Sequence, residues 1–309
     1  MILARVRRYA AMSTGDFDKI FSGMKLPVLP QAAMKLLEEI KSPEVSMSNI
    51  ANIISSDPGL SAHVLKIVNS AMYALPNQIG SIVQAANILG TKKIENLAIS
   101  YAVMESVKNP GRKGFDFDVF WSESLYKGLF ARECAVTRHL KGEDAFAGGL
   151  LQDIALPVLL TSWFDAYKHV YVIWKETSIR LSSIEHEQLS WTHAQAGAWI
   201  AKKWKLPDVL VCSIGLHTVN MSGFNKIDLL PSVPAAVALS ALIPVGASLE
   251  HTESLQTLLM EAEAFGLGPH ELTDIAHSTD ALFETMTNCF GISTHKDKCL
   301  GNALEEIIE

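Results

Sequence analysis

The sequence predicts an all-α protein, a helical bundle preceded by a helical lobe at the N-terminus. Three observations predict this class. Apolar residues recur along the chain at the three- and four-residue spacing of amphipathic helices. Capping residues stand where these stretches begin, and glycine stands where several of them end. Runs that alternate polar and apolar residues between hairpin turns, which are typical of strands, do not occur.

The N-terminal third contains the clearest helices. The apolar face of the first of these helices comprises Ala33, Leu36, Leu37 and Ile40. Asp57 followed by Pro58 is typical of an N-cap with proline in the first turn. The face of the helix that follows comprises Leu60, Val64, Ile67, Val68 and Ala71. Ser81 caps a further helix, which Gly90 is expected to end in a left-handed conformation, and Thr91 begins the next one.

Length and composition restrict the function. The chain has 309 residues, with 33 acidic and 26 basic side chains and a net charge of −7, which disfavours a protein that coats nucleic acid or an anionic membrane. Apolar residues make up 49% of it, enough for a substantial core. The four cysteines lack zinc-finger or CxxC spacing, so reduced thiols and a cytoplasmic location are expected.

One uncharged stretch, residues 229–249, is long enough to span a membrane. Pro231, Pro234 and Pro244 interrupt it, however, so a buried helix over residues 234–243 is the better interpretation. No apolar segment near the N-terminus has the length of a signal peptide.

The two helices around Gly90 have the spacing of a helix-turn-helix, with Lys92 and Lys93 at the start of the second helix. A helix that reads DNA needs polar and basic residues on its exposed face, whereas this one soon turns apolar. A structural αα-corner is therefore favoured, and nucleic acid is not expected as a partner.

Metal-capable side chains are scattered through the middle third of the chain: Glu123, Asp153, Glu185, His193 and His217. Asp153 appears in an otherwise apolar run that also contains two adjacent glycines. A buried carboxylate is costly unless a cation or hydrogen-bond donors compensate it. Spacing alone does not define a metal site, because a lone histidine is more often a capped or hydrogen-bonded core residue.

Six ordered segments resemble the HDOD domain, the HD-related output domain of bacterial signalling proteins. These are LPVLP at 26–30, ISSDPGL at 54–60, VNSAMY at 68–73, ANILG at 86–90, AFAGGLLQDI at 145–154, and HAQAGA at 193–198 with WKLP at 204–207. The resemblance implies an HD-domain-like helical bundle. It divides the chain into an N-terminal extension with the first helix (1–25), the HDOD domain (26–219) and a helical continuation packed on the same domain (220–309).

In HD phosphohydrolases a histidine, a His-Asp pair and a later aspartate hold one or two divalent metals. By this resemblance Glu123 stands in place of the first histidine and Gln152 in place of the paired histidine, whereas Asp153 is kept. Ser240 falls near the place of the last aspartate. A carboxamide is a weak ligand, so about half of the expected ligands are lost.

The resemblance also matches His193, His217 and Glu185 to residues that HDOD domains often retain. Asp153, Glu123, His193 and His217 are thus candidate ligands of a weak or vestigial site. No cofactor is expected, with one divalent ion as the alternative. A further alternative is that Asp153 only caps or salt-bridges neighbouring helices.

The leading interpretation is a non-catalytic signalling module that binds a signalling protein in trans or a small regulatory ligand. The second is a metal-dependent phosphohydrolase acting on a nucleotide or cyclic dinucleotide. Sequence-specific DNA binding is the weakest of the three. Whether the chain forms a homodimer is not decided by the sequence.

Overall fold

The computed structural model describes residues 17–177, 179–243, 252–292 and 299–308. Within these ranges every regular element is a helix, so the all-α prediction is confirmed. Residues 1–16, most of the expected N-terminal extension, lie outside the described residues.

The N-terminal lobe contains six helices, numbered in chain order: α1 (Phe17–Ile20), α2 (Gln31–Glu39), α3 (Met47–Ser55), α4 (Pro58–Val68), α5 (Ile82–Leu89) and α6 (Thr91–Ser106). The bundle follows with α7 (Phe117–Thr137), α8 (Gly142–Leu151), α9 (Ala155–Ser162), α10 (Phe164–Glu176), α11 (Leu181–Leu189), α12 (His193–Lys203) and α13 (Asp208–Leu216). The C-terminal part comprises α14 (Met221–Lys226), α15 (Val233–Ser240), α16 (Thr252–Phe265), α17 (Pro269–Phe290) and α18 (Leu300–Ile308).

The predicted caps of the N-terminal lobe are present. The Asp57 side chain accepts a hydrogen bond from the Leu60 amide at 3.0 Å, and Ser81 accepts from Gln84 at 3.2 Å. Gly90 differs from the expectation, because its φ of 89° is combined with a ψ of 148°, outside the left-handed helical region. The chain passes directly from α5 into α6 at this residue, and only glycine adopts this conformation readily.

Helix α6 joins the lobe to the bundle. It packs against α2, α4 and α5 on the lobe side and against α8 on the bundle side. Ten of its sixteen residues are buried. Lys92 and Lys93 lie 3.2 and 3.5 Å from the carboxylates of Glu95 and Glu143. The second helix of the Gly90 corner is therefore a core helix with paired lysines.

Helix α8 lies at the centre of the bundle, against α7, α13 and α15. Among the described residues, the stretch Gly142–Ser162 is long and apolar enough to cross a membrane, but 89% of its apolar 18-residue window is buried inside the protein, as expected of the core helices α8 and α9. The uncharged stretch after Leu229 forms α15, whose eight residues are all buried. The helix predicted there is therefore present, although it ends at Ser240, three residues early. Residues 244–251 lie outside the described residues.

Candidate metal centre

Three separate segments bring a carboxylate and two imidazoles to one buried point. Asp153 lies in the turn between α8 and α9, His193 is the first residue of α12, and His217 directly follows α13. Helix α12 begins at His193 because the Thr192 amide donates to the Gln195 side chain at 3.0 Å in a capping box. The packing of α13 against both α12 and α8 then sets the three side chains side by side.

The atoms that face one another are Oδ1 of Asp153 and the Nε2 atoms of the two histidines. Oδ1 lies 3.2 Å from Nε2 of His193 and 3.3 Å from Nε2 of His217. The two nitrogens are 3.1 Å apart. The three residues are 8%, 5% and 2% exposed. Within the described part of the chain, these are the side chains that group with metal-ligating geometry.

The outer ring nitrogens of both histidines are held by acceptors. Nδ1 of His193 lies 2.6 Å from Oε2 of Glu185, and Nδ1 of His217 lies 2.7 Å from the carbonyl oxygen of Ile214. Because these oxygens accept and do not donate, both Nδ1 atoms carry the proton. In each neutral ring the Nε2 lone pair therefore faces Asp153.

Glu185 is itself fixed by three donors. In addition to Nδ1 of His193, it accepts a hydrogen bond from the His193 backbone amide at 2.8 Å and one from the hydroxyl of Tyr167. Its side chain is fully buried. A carboxylate that orients a histidine in this way is typical of the surroundings of metal ligands.

Three acceptor atoms this close together require a positive charge among them. Burial disfavours the protonated ring of His193 and would lower its pKa. The attraction of the carboxylates of Glu185 and Asp153 is stronger than this effect and raises the pKa of His193 to about 9. Burial lowers the pKa of His217. In the absence of a metal, the proton on Nε2 of His193 supplies the charge, and a divalent cation can replace that proton.

The donor set fits one divalent ion. Bonds of about 2.0–2.2 Å, at angles between a right angle and the tetrahedral angle, separate ligand atoms by about 2.8–3.6 Å. The separations here are 3.1, 3.2 and 3.3 Å. Two imidazoles and a carboxylate suit a transition metal such as zinc or iron. Asp153, His193 and His217 would hold the ion, and Glu185 would orient His193.

The other oxygen of Asp153 binds a lysine of α7. Nζ of Lys127 lies 2.8 Å from Oδ2 of Asp153. Burial would raise the pKa of Asp153, but Lys127 and the two imidazoles hold it well below its ordinary value. Burial would likewise lower the pKa of Lys127, yet Asp153 and Glu123 raise it. Both groups therefore keep their charges.

Three further residues were matched to ligand positions of HD enzymes, and they do not join this cluster: Glu123, Gln152 and Ser240. Glu123 interacts electrostatically with Lys127 and Asp153, and burial raises the pKa of Glu123. Gln152 is fully buried, and neither its Oε1 nor its Nε2 has a hydrogen-bond partner among the described residues. The hydroxyl of Ser240 donates to the carbonyl of Val237 in its own helix.

Lys127 and Tyr167 belong to the site but were not singled out from the sequence. A signal for Lys127 exists, since it is a basic residue in the mostly apolar middle of α7, four residues after Glu123. Tyr167 carries no comparable signal. Its role depends on the packing of α10 against α11.

Comparison with known proteins agrees with this architecture. The family model of the HDOD domain matches residues 26–219. A curated relative from Treponema pallidum (strain Nichols), named "Uncharacterized protein", is 25% identical over 197 residues, which are 62% of this chain and 37% of the relative. The match thus spans little more than a third of that protein.

Two solved structures share the fold at low sequence identity. One, from Marinobacter aquaeolei VT8, is named "Putative signal transduction protein". It is 20% identical over 92% of this chain and 66% of its own, with a TM-score of 0.63. The other, from Shewanella amazonensis SB2B, is named "Putative metal-dependent phosphohydrolase". It is 20% identical over 89% of this chain and 99% of its own, with a TM-score of 0.58.

The family match covers most of the chain, and it includes all three residues of the metal-ligating cluster. The helical architecture is that of solved HDOD proteins. The chain belongs to the HDOD domain family.

Proposed function

We propose that the chain is a non-catalytic signal-transduction module, whose bundle binds a signalling protein in trans or a small regulatory ligand. The observation that carries the proposal is the size of the donor set. Asp153, His193 and His217 are the described residues whose donor atoms converge. Hydrolases that clamp a phosphoester between two metals need a second set of ligands, and Gln152 and Ser240 do not supply it.

The electrostatics of the site support the same proposal. Lys127 pairs with Oδ2 of Asp153 from one side, and the imidazole of His193 lies 3.2 Å from Oδ1 on the other. The carboxylate is thus compensated by groups of the protein itself, which can stabilise the bundle without a metal. A helical protein with such a site can still change shape when a partner or ligand binds to it.

The cellular setting is part of the proposal. All four cysteines are free thiols, and three of them are buried. This supports a reducing compartment, the cytoplasm, as the location of the protein. The name of the Marinobacter structure is consistent with a signalling role, and a partner in trans is part of the proposal.

The test compares the rate of hydrolysis by the wild type with the rate by a matched variant. Purified wild-type protein and Asp153→Asn are assayed with Mn²⁺ on bis(p-nitrophenyl) phosphate, p-nitrophenyl phosphate, nucleotides and cyclic dinucleotides. We expect both proteins to give the same background rate. Turnover by the wild type that is lost in Asp153→Asn overturns the proposal.

The second candidate is a phosphohydrolase that uses one metal ion. The convergence of Oδ1 of Asp153 with two Nε2 lone pairs favours it, as does the name of the Shewanella structure. Elemental analysis of protein purified without chelator separates the two candidates. This candidate requires about one transition metal per chain, together with an activity that disappears when the metal is removed.

A further inference from the structure

Lys127 occupies the side of Asp153 at which a second metal ion would have to bind if this carboxylate bridged two ions. The two oxygens of Asp153 face different neighbours: Oδ1 faces the imidazoles of His193 and His217, and Oδ2 binds Nζ of Lys127 at 2.8 Å. A carboxylate that bridges two metals must give one oxygen to each. Here the second oxygen is already paired with an ammonium group.

The surroundings of Lys127 are those of a bound cation. Its ammonium group binds Oδ2 of Asp153 directly and also interacts electrostatically with the carboxylate of Glu123. The side chains of Lys127 and Asp153 are only 16% and 12% exposed. Water therefore screens this ion pair far less than a surface pair, and both partners are held in place.

The same ammonium group acts on the three-ligand cluster. A cation that binds at Oδ1 must approach a carboxylate that already carries a positive charge on its other oxygen. The repulsion between the two cations, a few ångströms apart in a shielded site, weakens binding of the incoming ion. The protein thus contains a donor set that fits one ion and an ammonium group, that of Lys127, which repels this ion.

We propose that Lys127 is the tethered substitute for the second metal ion, so that the chain binds at most one divalent cation and Lys127 sets how weakly it does so. The inference shares with the proposed function only the observation that three donor atoms converge, a set that fits one ion. It goes further, because it names the residue that limits metal binding and the direction in which its removal acts.

The test is a calorimetric titration with Mn²⁺ and with Zn²⁺ alone. It compares the wild type, Lys127→Met and Lys93→Met. Methionine keeps the length and apolar stem of lysine without the charge. Lys93→Met removes an equal charge from the Glu143 ion pair of α6. We expect Lys127→Met to bind the ion at least ten times more tightly than the wild type, and Lys93→Met to match the wild type.

Equal or weaker binding by Lys127→Met, including no binding by any of the three proteins, overturns the inference. A measurement on the wild type alone is independent of how the variants fold. Crystals soaked in Mn²⁺ should show at most one anomalous peak, facing Oδ1 of Asp153, and two peaks on opposite sides of Asp153 overturn the inference. Hydrolysis by a protein with one ion would overturn the proposed function but leave this inference intact.

Discussion

Gly128 of α7 and Gly149 of α8 lie backbone against backbone. A Cβ atom added at Gly149 would lie 2.8 Å from the Cα of Gly128 and 2.9 Å from the carbonyl oxygen of Lys127. Only glycine on both sides lets the two helices come this close. Lys127 directly precedes Gly128, so the close contact of the two helices also brings Lys127 near the end of α8, two residues before Asp153.

Gly149→Ala is expected to destabilise the fold by about 1–3 kcal/mol, because the atoms in its way are backbone atoms that cannot rotate aside. Gly149→Leu should be worse. Urea denaturation measures the change in the free energy of unfolding. Gly80→Ala is the control, since a Cβ there meets nothing within 4 Å. Equal stability of Gly149→Ala and the wild type would contradict the close contact.

Removing the support of His193 should lower stability in a graded way. Tyr167→Phe deletes one hydrogen bond to Glu185 and should lower the free energy of unfolding by about 1 kcal/mol. Glu185→Gln also weakens the two hydrogen bonds from His193 and should lower the free energy of unfolding by about 1–3 kcal/mol. Chemical denaturation of both single variants and the double variant gives their coupling energy. Strictly additive losses would mean that the two side chains act independently.

His63 should make the fold sensitive to acid. Its ring stacks on Tyr101 with centroids 3.4 Å apart. Burial, with a smaller contribution from Lys66, lowers the pKa of His63 to about 4. In the unfolded chain the pKa is about 6.5. The stabilising contribution is therefore complete above pH 6.5 and is lost as the pH falls toward 4, because only the unfolded state takes up the proton in that window.

Denaturation of the wild type and His63→Phe at pH 7.5 and pH 5 tests this sign. The wild type should lose more stability than His63→Phe between the two values. Parallel losses in the two proteins would show that His63 does not contribute to the pH dependence.

Gln152→Leu should leave stability unchanged or raise it by about 1–3 kcal/mol, because the side chain is fully buried and its amide has no partner among the described residues. Thermal melting compares it with Gln195→Leu. That control removes the amide that caps α12 at Thr192 and should lower stability by about 0.5–2 kcal/mol. Clear destabilisation by Gln152→Leu would indicate a water-mediated network around this amide.

The local features of the fold were predictable from the sequence. Asp57 and Ser81 mark helix starts because a capping side chain bonds to amides within the same turn. The conformation of Gly90 was predicted less well. A glycine indicates that a helix ends, but its ψ depends on the direction in which the next helix leaves.

The sequence by itself determined the helical class, the helix starts and the residue types Asp153, His193 and His217, because these follow from neighbouring residues and from a resemblance of ordered segments. Only the tertiary structure decided that these three side chains meet, that Lys127 joins them and that Glu123 stays outside their cluster. Those contacts join residues dozens of positions apart, and their distances depend on how closely α7, α8, α12 and α13 pack. Packing at that precision comes from the whole core, and no local pattern records it.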